Sequence, residues 1–206
     1  GAIIGAAVAA GVGLAVREAA GAEEIRSKFN AVFRDSADDV RDWAETTADA
    51  ASRSSIALEQ YLSTFQDTFV PLGFAREEAA QFSQTLTQLS LDLASFNNES
   101  EPDTVRALQS ALVGNHETVR RYGVIIDQAA LNSELLNMGI RGGTDAATAQ
   151  QMAMARLNII MAGTVDAQGD VFRTADSATN QYRELQAEIR DAAVAIGDSF
   201  MPAARV

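Results

Sequence analysis

Apolar side chains recur with a helical period along residues 22–70. The gaps between them are three, four or sums of the two, which places them on one face of a helix, with charged residues such as Asp38 and Arg41 mainly on the other. A stripe of this kind has to be buried, either against later helices of this chain or against other copies. We therefore predict an interaction face made of Ile25, Phe29, Phe33, Val40, Trp43, Leu58, Leu62, Phe65 and Phe69.

The positions of proline, glycine and polar runs divide the chain into three predicted domains. These are an apolar Gly/Ala-rich helix over residues 1–20, a long amphipathic helix over 21–70, and a module of short helices over 71–206. Pro71 and Gly73 are expected to end the long helix, because proline lacks a backbone donor and glycine accepts a left-handed cap. The run 52–55 is a weak point at which the long helix can become two.

Capping signals and breakers mark the helices of the third domain. Ser100, with Asp103 three residues later, is typical of a helix N-cap. Thr144 or Asp145 is expected to start a further helix, and Pro202 is expected to end the last one. Breaks this frequent argue against a single straight rod and favour a folded module.

The composition fits helices rather than sheets. Ala, Leu, Gln, Glu and Arg lose little conformational freedom in a helix and are abundant, and the 206 residues include three prolines. The run Val124, Ile125 and Ile126 is rich in β-branched residues but too short to found a sheet. The predicted fold class is all-α.

Charge and reactive residues argue against nucleic-acid binding and catalysis. Lys and Arg total 16 against 28 Asp and Glu, so the net charge is -12 and phosphate is repelled. The chain has no cysteine, and its one histidine, His116, has no nucleophile motif beside it. We expect the run 166–170 to be a turn rather than a calcium loop, and Arg120 to pair with Glu117. We expect no enzyme activity and assign no catalytic, cofactor-binding or metal site.

The first 16 residues are uncharged and mostly small. Such a segment fits part of a membrane helix, for which about 20 apolar residues are needed, or an Ala-rich helix packed within an assembly. Both interpretations stay open. Because the sequence begins at Gly1 rather than Met, we expect it to be part of a longer or processed product.

Several motifs occur in an order that resembles one known family. Leu72-Gly73-Phe74 is followed by DLASFNN at 92–98, ALQSALVGNHETVRRYGVIID at 107–127, AQGD at 167–170, and IGDSFMPA at 196–203. The set resembles the folded helical region of phage tail tape measure proteins, and the likeness covers nearly the whole chain. One departure is that the long repetitive helical body of a ruler is absent from these residues.

The resemblance implies a structural role inside a virion. A tape measure protein lies in the tail lumen or at the tail tip, templates assembly of the tail tube, sets tail length and leaves the tube at ejection. The partners implied are other copies of the chain, tail tube and tail-tip proteins, and assembly chaperones, with no specific nucleic-acid binding and no cofactor. An alternative is a membrane-active segment at residues 1–16 that aids genome passage through the host envelope. A wall-degrading activity is a third hypothesis, for which no acid–base pair is evident.

Overall fold

The computed structural model describes the backbone of residues 2–204 and the side chains of residues 11–202. The chain is 81% helical, and no strand occurs within residues 2–204, which confirms the all-α prediction. The α-helices over that range are α1 (Ala2–Phe33), α2 (Ala37–Ala51), α3 (Ser55–Phe69), α4 (Arg76–Phe96), α5 (Glu101–Leu112), α6 (Gln128–Asn137), α7 (Ala149–Gly163), α8 (Asp170–Arg173) and α9 (Ala178–Ala204). Short 3-10 helices span Arg34–Ser36, Val70–Leu72, His116–Tyr122 and Gly143–Asp145.

The helix boundaries of the first 70 residues differ from the expected ones. No break separates residues 1–20 from the following stretch, because neither proline nor a capping residue interrupts α1 before Phe33. The stretch 21–70 then continues through α2 and α3 instead of forming one long helix. The side-chain packing of residues 1–10, on which the two interpretations of the apolar segment depend, lies outside the described residues.

The weak point expected at 52–55 is the break between α2 and α3. Ser52 has a left-handed backbone, with φ of 54°. The Arg53 guanidinium donates hydrogen bonds to the carbonyls of Ala51 and Ser52, at 2.9 and 3.0 Å. These bonds satisfy carbonyls that the end of α2 leaves without a helical partner.

The chain divides into two compact units, the first made of residues 1–60 with 175–206 and the second of residues 61–174. In the first unit α1 and α9 share the most extensive contact between elements. Ala22, Ile56 and Val194 form a small buried cluster there. A Cβ added at Gly197 would lie 1.9 Å from the Ala15 carbonyl oxygen, so the two backbones approach closely at this point.

Large apolar side chains fill the core of the second unit. The Phe69 ring lies 5.2 Å from that of Phe74 and 5.5 Å from that of Phe82, measured between centroids. The fully buried leucines of this unit are Leu62, Leu86, Leu89, Leu91, Leu93, Leu108, Leu112 and Leu135. Gly73 accepts the left-handed conformation expected of it, with φ of 104°, and its N–H bonds the Val70 carbonyl at 3.1 Å.

Of three further predicted helix ends, the one at Ser100 is correct, and those at Thr144 or Asp145 and at Pro202 are wrong. The Ser100 hydroxyl caps α5 by accepting from the Asp103 N–H at 3.3 Å. The helix expected from Thr144 or Asp145 instead starts at Ala149, because Thr148 forms a capping box with Gln151. α9 extends past Pro202 to Ala204, since a proline in the last turn removes only one helical hydrogen bond.

Candidate functional site

Seven of the nine residues of the predicted interaction face are buried within this chain. Phe29, Phe33, Val40, Leu58, Leu62, Phe65 and Phe69 are buried, whereas Ile25 and Trp43 are partly exposed. The nine residues are also divided between the two units, with residues 25–58 in the first and 62–69 in the second. The sequence left open whether this face is buried against other helices of this chain or against other copies. For the seven buried residues, the structure shows burial within this chain.

The aromatic members of the face pack against neighbours in their own unit. The Phe29 and Phe33 rings lie 4.6 Å apart, and the Arg41 guanidinium lies 5.2 Å from the centre of the Phe29 ring. The Nε of Arg41 is 3.6 Å from the Oε1 of Glu59. Burial raises the pKa of Glu59, while the positive charge of Arg41 acts in the opposite direction.

The second unit contains a buried carboxylate that joins two distant segments. Asp92, in α4, accepts hydrogen bonds from the backbone N–H groups of Gly169 at 2.9 Å and Val171 at 3.2 Å. Gln88 donates to the same carboxylate at 3.3 Å. Burial raises the pKa of Asp92, and the two backbone donors act against that rise. We call this arrangement the Asp92 bridge.

The run 166–170 is a turn, as expected. Gln168 donates to the Met161 carbonyl at 2.7 Å, and Arg173 donates to the Asp166 carbonyl at 2.9 Å. Asp170 is buried and pairs with Arg173 at 3.3 Å. Among the residues whose side chains are described, no cluster of three or more His, Asp or Glu is arranged to hold a metal ion.

The single histidine links two helices of the second unit. The Nε of Arg156 donates to the Nε2 of His116 at 3.1 Å, and the same guanidinium donates to the Leu112 carbonyl at 2.9 Å. Burial lowers the pKa of His116, and the charge of Arg156 lowers it further. Arg156 of α7 thus holds the end of α5 through the Leu112 carbonyl and the 3-10 helix His116–Tyr122 through the His116 ring, which is a structural role.

A charged cleft of about 310 Å³ lies between α5 and the 3-10 helix His116–Tyr122. Its lining residues are Asp103, Arg106, Ala107, Ser110, Glu117, Thr118 and Arg121. Arg106 pairs with Asp103, and Arg121 lies 3.6 Å from Glu99. The expected pair of Arg120 with Glu117 is present at the rim, at 3.6 Å. The cleft therefore holds charges that already neutralise one another.

A long apolar surface lies on α9, and the predicted interaction face did not include it. Tyr182, Leu185, Ile189, Ile196 and Phe200 are each between 44% and 62% exposed. With the exposed Ala192 they recur every three or four residues, so they form one stripe. We call Tyr182, Leu185, Ile189, Ala192, Ile196 and Phe200 the α9 stripe. The seven-residue spacing of Tyr182, Ile189 and Ile196 is the sequence pattern from which the α9 stripe could have been predicted.

The fold and these features define an all-α protein of two compact units, one of which exposes an apolar helix face. No protein-family model, curated protein or solved structure matches the chain. None of the described helices is both long enough and apolar enough to cross a membrane.

Proposed function

We propose that the chain is the folded helical module of a phage tail tape measure protein. Such a protein lies in the tail lumen, templates assembly of the tail tube, sets tail length and is released at ejection. Its partners are other copies of the chain, tail tube and tail-tip proteins, and assembly chaperones.

The observation that carries the proposal is the Asp92 bridge. Asp92 opens the motif at 92–98, and Gly169 is the turn residue of the motif at 167–170. These two segments, which both contribute to the resemblance, are joined directly by the hydrogen bond from the Gly169 N–H to the Asp92 carboxylate. The two motifs are therefore neighbours in the folded chain, which supports treating them as parts of one structural module rather than as scattered residues.

The charge of the chain is compatible with this role. Its net charge of -12 repels a phosphate backbone, which suits a lumen through which DNA must pass without adhering. The all-α fold is likewise what the resemblance implies.

The proposal is tested in the phage that encodes the chain. Mass spectrometry of purified virions should detect the chain in the tail fraction, and particles triggered to eject their DNA should have lost it. A phage lacking residues 61–174 in frame, which removes the second unit, should make no tails or non-infectious ones. Phage carrying the exposed substitution Gln186→Glu should form normal tails and serves as the matched control.

Tail length in the same deletion phage separates two roles. Shortening by about 1.5 Å for each deleted residue would assign the second unit to the measuring length itself. Tails that are absent, or of normal length but non-infectious, would assign it to assembly or ejection. Absence of the chain from virions, or infectious tails of normal length in the deletion phage, would contradict the proposal.

A further inference from the structure

The α9 helix exposes an apolar face in addition to the face by which it meets the rest of the first unit. At 3.6 residues per turn, the α9 stripe occupies roughly 80° of the helix circumference. None of the six charged residues of α9 falls within that arc. They are Arg183, Glu184, Glu188, Arg190, Asp191 and Asp198.

Several polar residues of α9 face the rest of the first unit instead. Arg190 lies 3.7 Å from Glu18 of α1, and Asp198 lies 3.6 Å from Arg26 of α1. Asp191 accepts from the Ser54 hydroxyl at 2.6 Å. The buried residues of α9 that meet α1 are Gly197 and Val194, and Val194 packs against Ala22. The α9 stripe lies on a different side of the helix and is in contact with solvent.

We infer that the α9 stripe is a self-association surface, which pairs with the α9 stripe of a second copy of this chain. Tyr182, Ile189 and Ile196 are seven residues apart, and Leu185 and Ala192 follow the first two by three residues. From Tyr182 to Ile196 this is the a/d spacing of a coiled-coil seam, which is complementary to a copy of itself; the next d position is Ser199, and Phe200 follows it.

The area of the stripe is sufficient for a pair. If each of its five large side chains presents about 100 Å², roughly half of what a large side chain buries, the stripe offers on the order of 500 Å² per copy. Two copies would then bury about 1,000 Å² in total, which is the lower limit for a specific interface.

Charge favours a second copy over a lipid surface. Glu188 is the charged residue nearest to the stripe, so two acidic copies meet there without a row of facing like charges. Helices that lie on membranes carry Lys and Arg along the polar face. The polar face of α9 instead has four acidic residues and two arginines.

This inference rests on the proposed function in one respect: the proposed function includes other copies of the chain as partners, and the inference names the surface through which they associate. Its test uses the purified chain without any phage. A chain that associates through α9 but is absent from virions would contradict the proposed function alone. A chain that is present in tails but does not associate would contradict the inference alone.

The test is sedimentation velocity of the 206-residue chain over a range of concentrations. The wild-type chain is expected to show at least twice the monomer mass of 21.9 kDa. The dissociation constant for self-association of the variant Leu185→Glu/Ile189→Glu is expected to be at least ten times that of the wild type, because the variant places charges in the seam. The matched control Gln186→Glu/Ala195→Glu adds the same charge at exposed positions beside the stripe and should associate like the wild type.

Far-UV circular dichroism should show equal helicity in all three proteins, since the substituted residues are exposed. If the double variant loses helicity, Ile189→Gln replaces it and should still weaken association. A monomeric wild-type chain at every concentration, or equal weakening by the stripe and control variants, would overturn the inference. Wild-type monomers that co-sediment with phosphatidylcholine or phosphatidylglycerol vesicles would overturn it in favour of a lipid partner.

Discussion

The two compact units differ in the contacts that hold their helices together. In the second unit, aromatic rings and leucines fill the core, and the buried Asp92 carboxylate has backbone donors as partners. In the first unit, α1 and α9 meet through small residues and ion pairs, while the α9 stripe remains in solvent. Both units bury large apolar side chains, among them Phe29 and Leu58 in the first, but the first also presents the α9 stripe as a continuous apolar helix face that fits a partner.

This difference indicates where each unit is sensitive to substitution. The α1–α9 contact depends on close approach of two backbones, so it should fail when a side chain is inserted. The second unit depends on packing and on satisfied buried polar groups, so it should fail when a partner group is removed. The following predictions test this comparison, from the largest expected effect to the smallest.

Gly197→Ala should destabilise the first unit by about 3 kcal/mol, because the added Cβ meets the Ala15 carbonyl at 1.9 Å and the backbone cannot yield easily. Hydrogen exchange with mass spectrometry should show faster exchange in α1 and α9. Gly21→Ala is the matched control, since its Cβ would meet nothing within 4 Å. That control should stabilise α1 by up to about 1 kcal/mol through helix propensity. The same sign of effect for both substitutions would contradict the close-contact account.

Asp92→Ala should destabilise the second unit by about 2 to 3 kcal/mol, because it leaves the N–H groups of Gly169 and Val171 without their acceptor. Urea unfolding of the variant measures the loss. Asp92→Asn, which keeps one acceptor oxygen, should lose less, and Asp145→Ala at an exposed position should change little. Equal stability of Asp92→Ala and the wild type would show that the Asp92 bridge contributes nothing.

Thr87→Val should stabilise the second unit by up to about 1 kcal/mol. The Thr87 hydroxyl is buried and has no hydrogen-bond partner among the described residues, while valine has nearly the same shape. Thermal unfolding followed by circular dichroism measures the gain. A loss of stability would mean that the hydroxyl is satisfied after all.

His116→Gln should remove a small dependence of stability on pH. The folded-state pKa of His116 is lowered, so the folded protein binds fewer protons than the unfolded chain just below pH 6.5, the ordinary histidine value. Its contribution to stability is therefore present above that pH and is lost as the pH falls through the lowered folded value. The substituted glutamine would still accept from Arg156 but does not titrate, so the wild type should lose stability relative to the variant as pH drops from 7.5 to 5. A difference in melting temperature between the wild type and His116→Gln that stays the same from pH 7.5 to pH 5 would contradict this prediction.

Local signals in the sequence were sufficient for part of the fold. The helix stop at Pro71 and Gly73 and the N-cap at Ser100 depend on residues adjacent in the chain, so they were predictable. The start of α7 was missed because Thr148 and Gln151 form a capping box that outcompetes Thr144 and Asp145.

The candidate sites were harder to predict because they depend on tertiary contacts. Periodicity identifies an apolar face but not whether this chain or another covers it, so the buried Phe29 and the exposed Ile189 gave the same signal. The Asp92 bridge joins residues 77 positions apart, and no pattern within one helix indicates such a contact.

The most direct test of the central claim, that the α9 stripe pairs two copies, uses disulfide formation in a chain that has no cysteine of its own. Ile189→Cys places a thiol within the stripe, and Ala195→Cys places one beside it on the same helix. Under mild oxidation, Ile189→Cys is predicted to give covalent dimers on non-reducing gels much faster than Ala195→Cys. Equal rates for the two variants, or no dimers from either, would contradict the account.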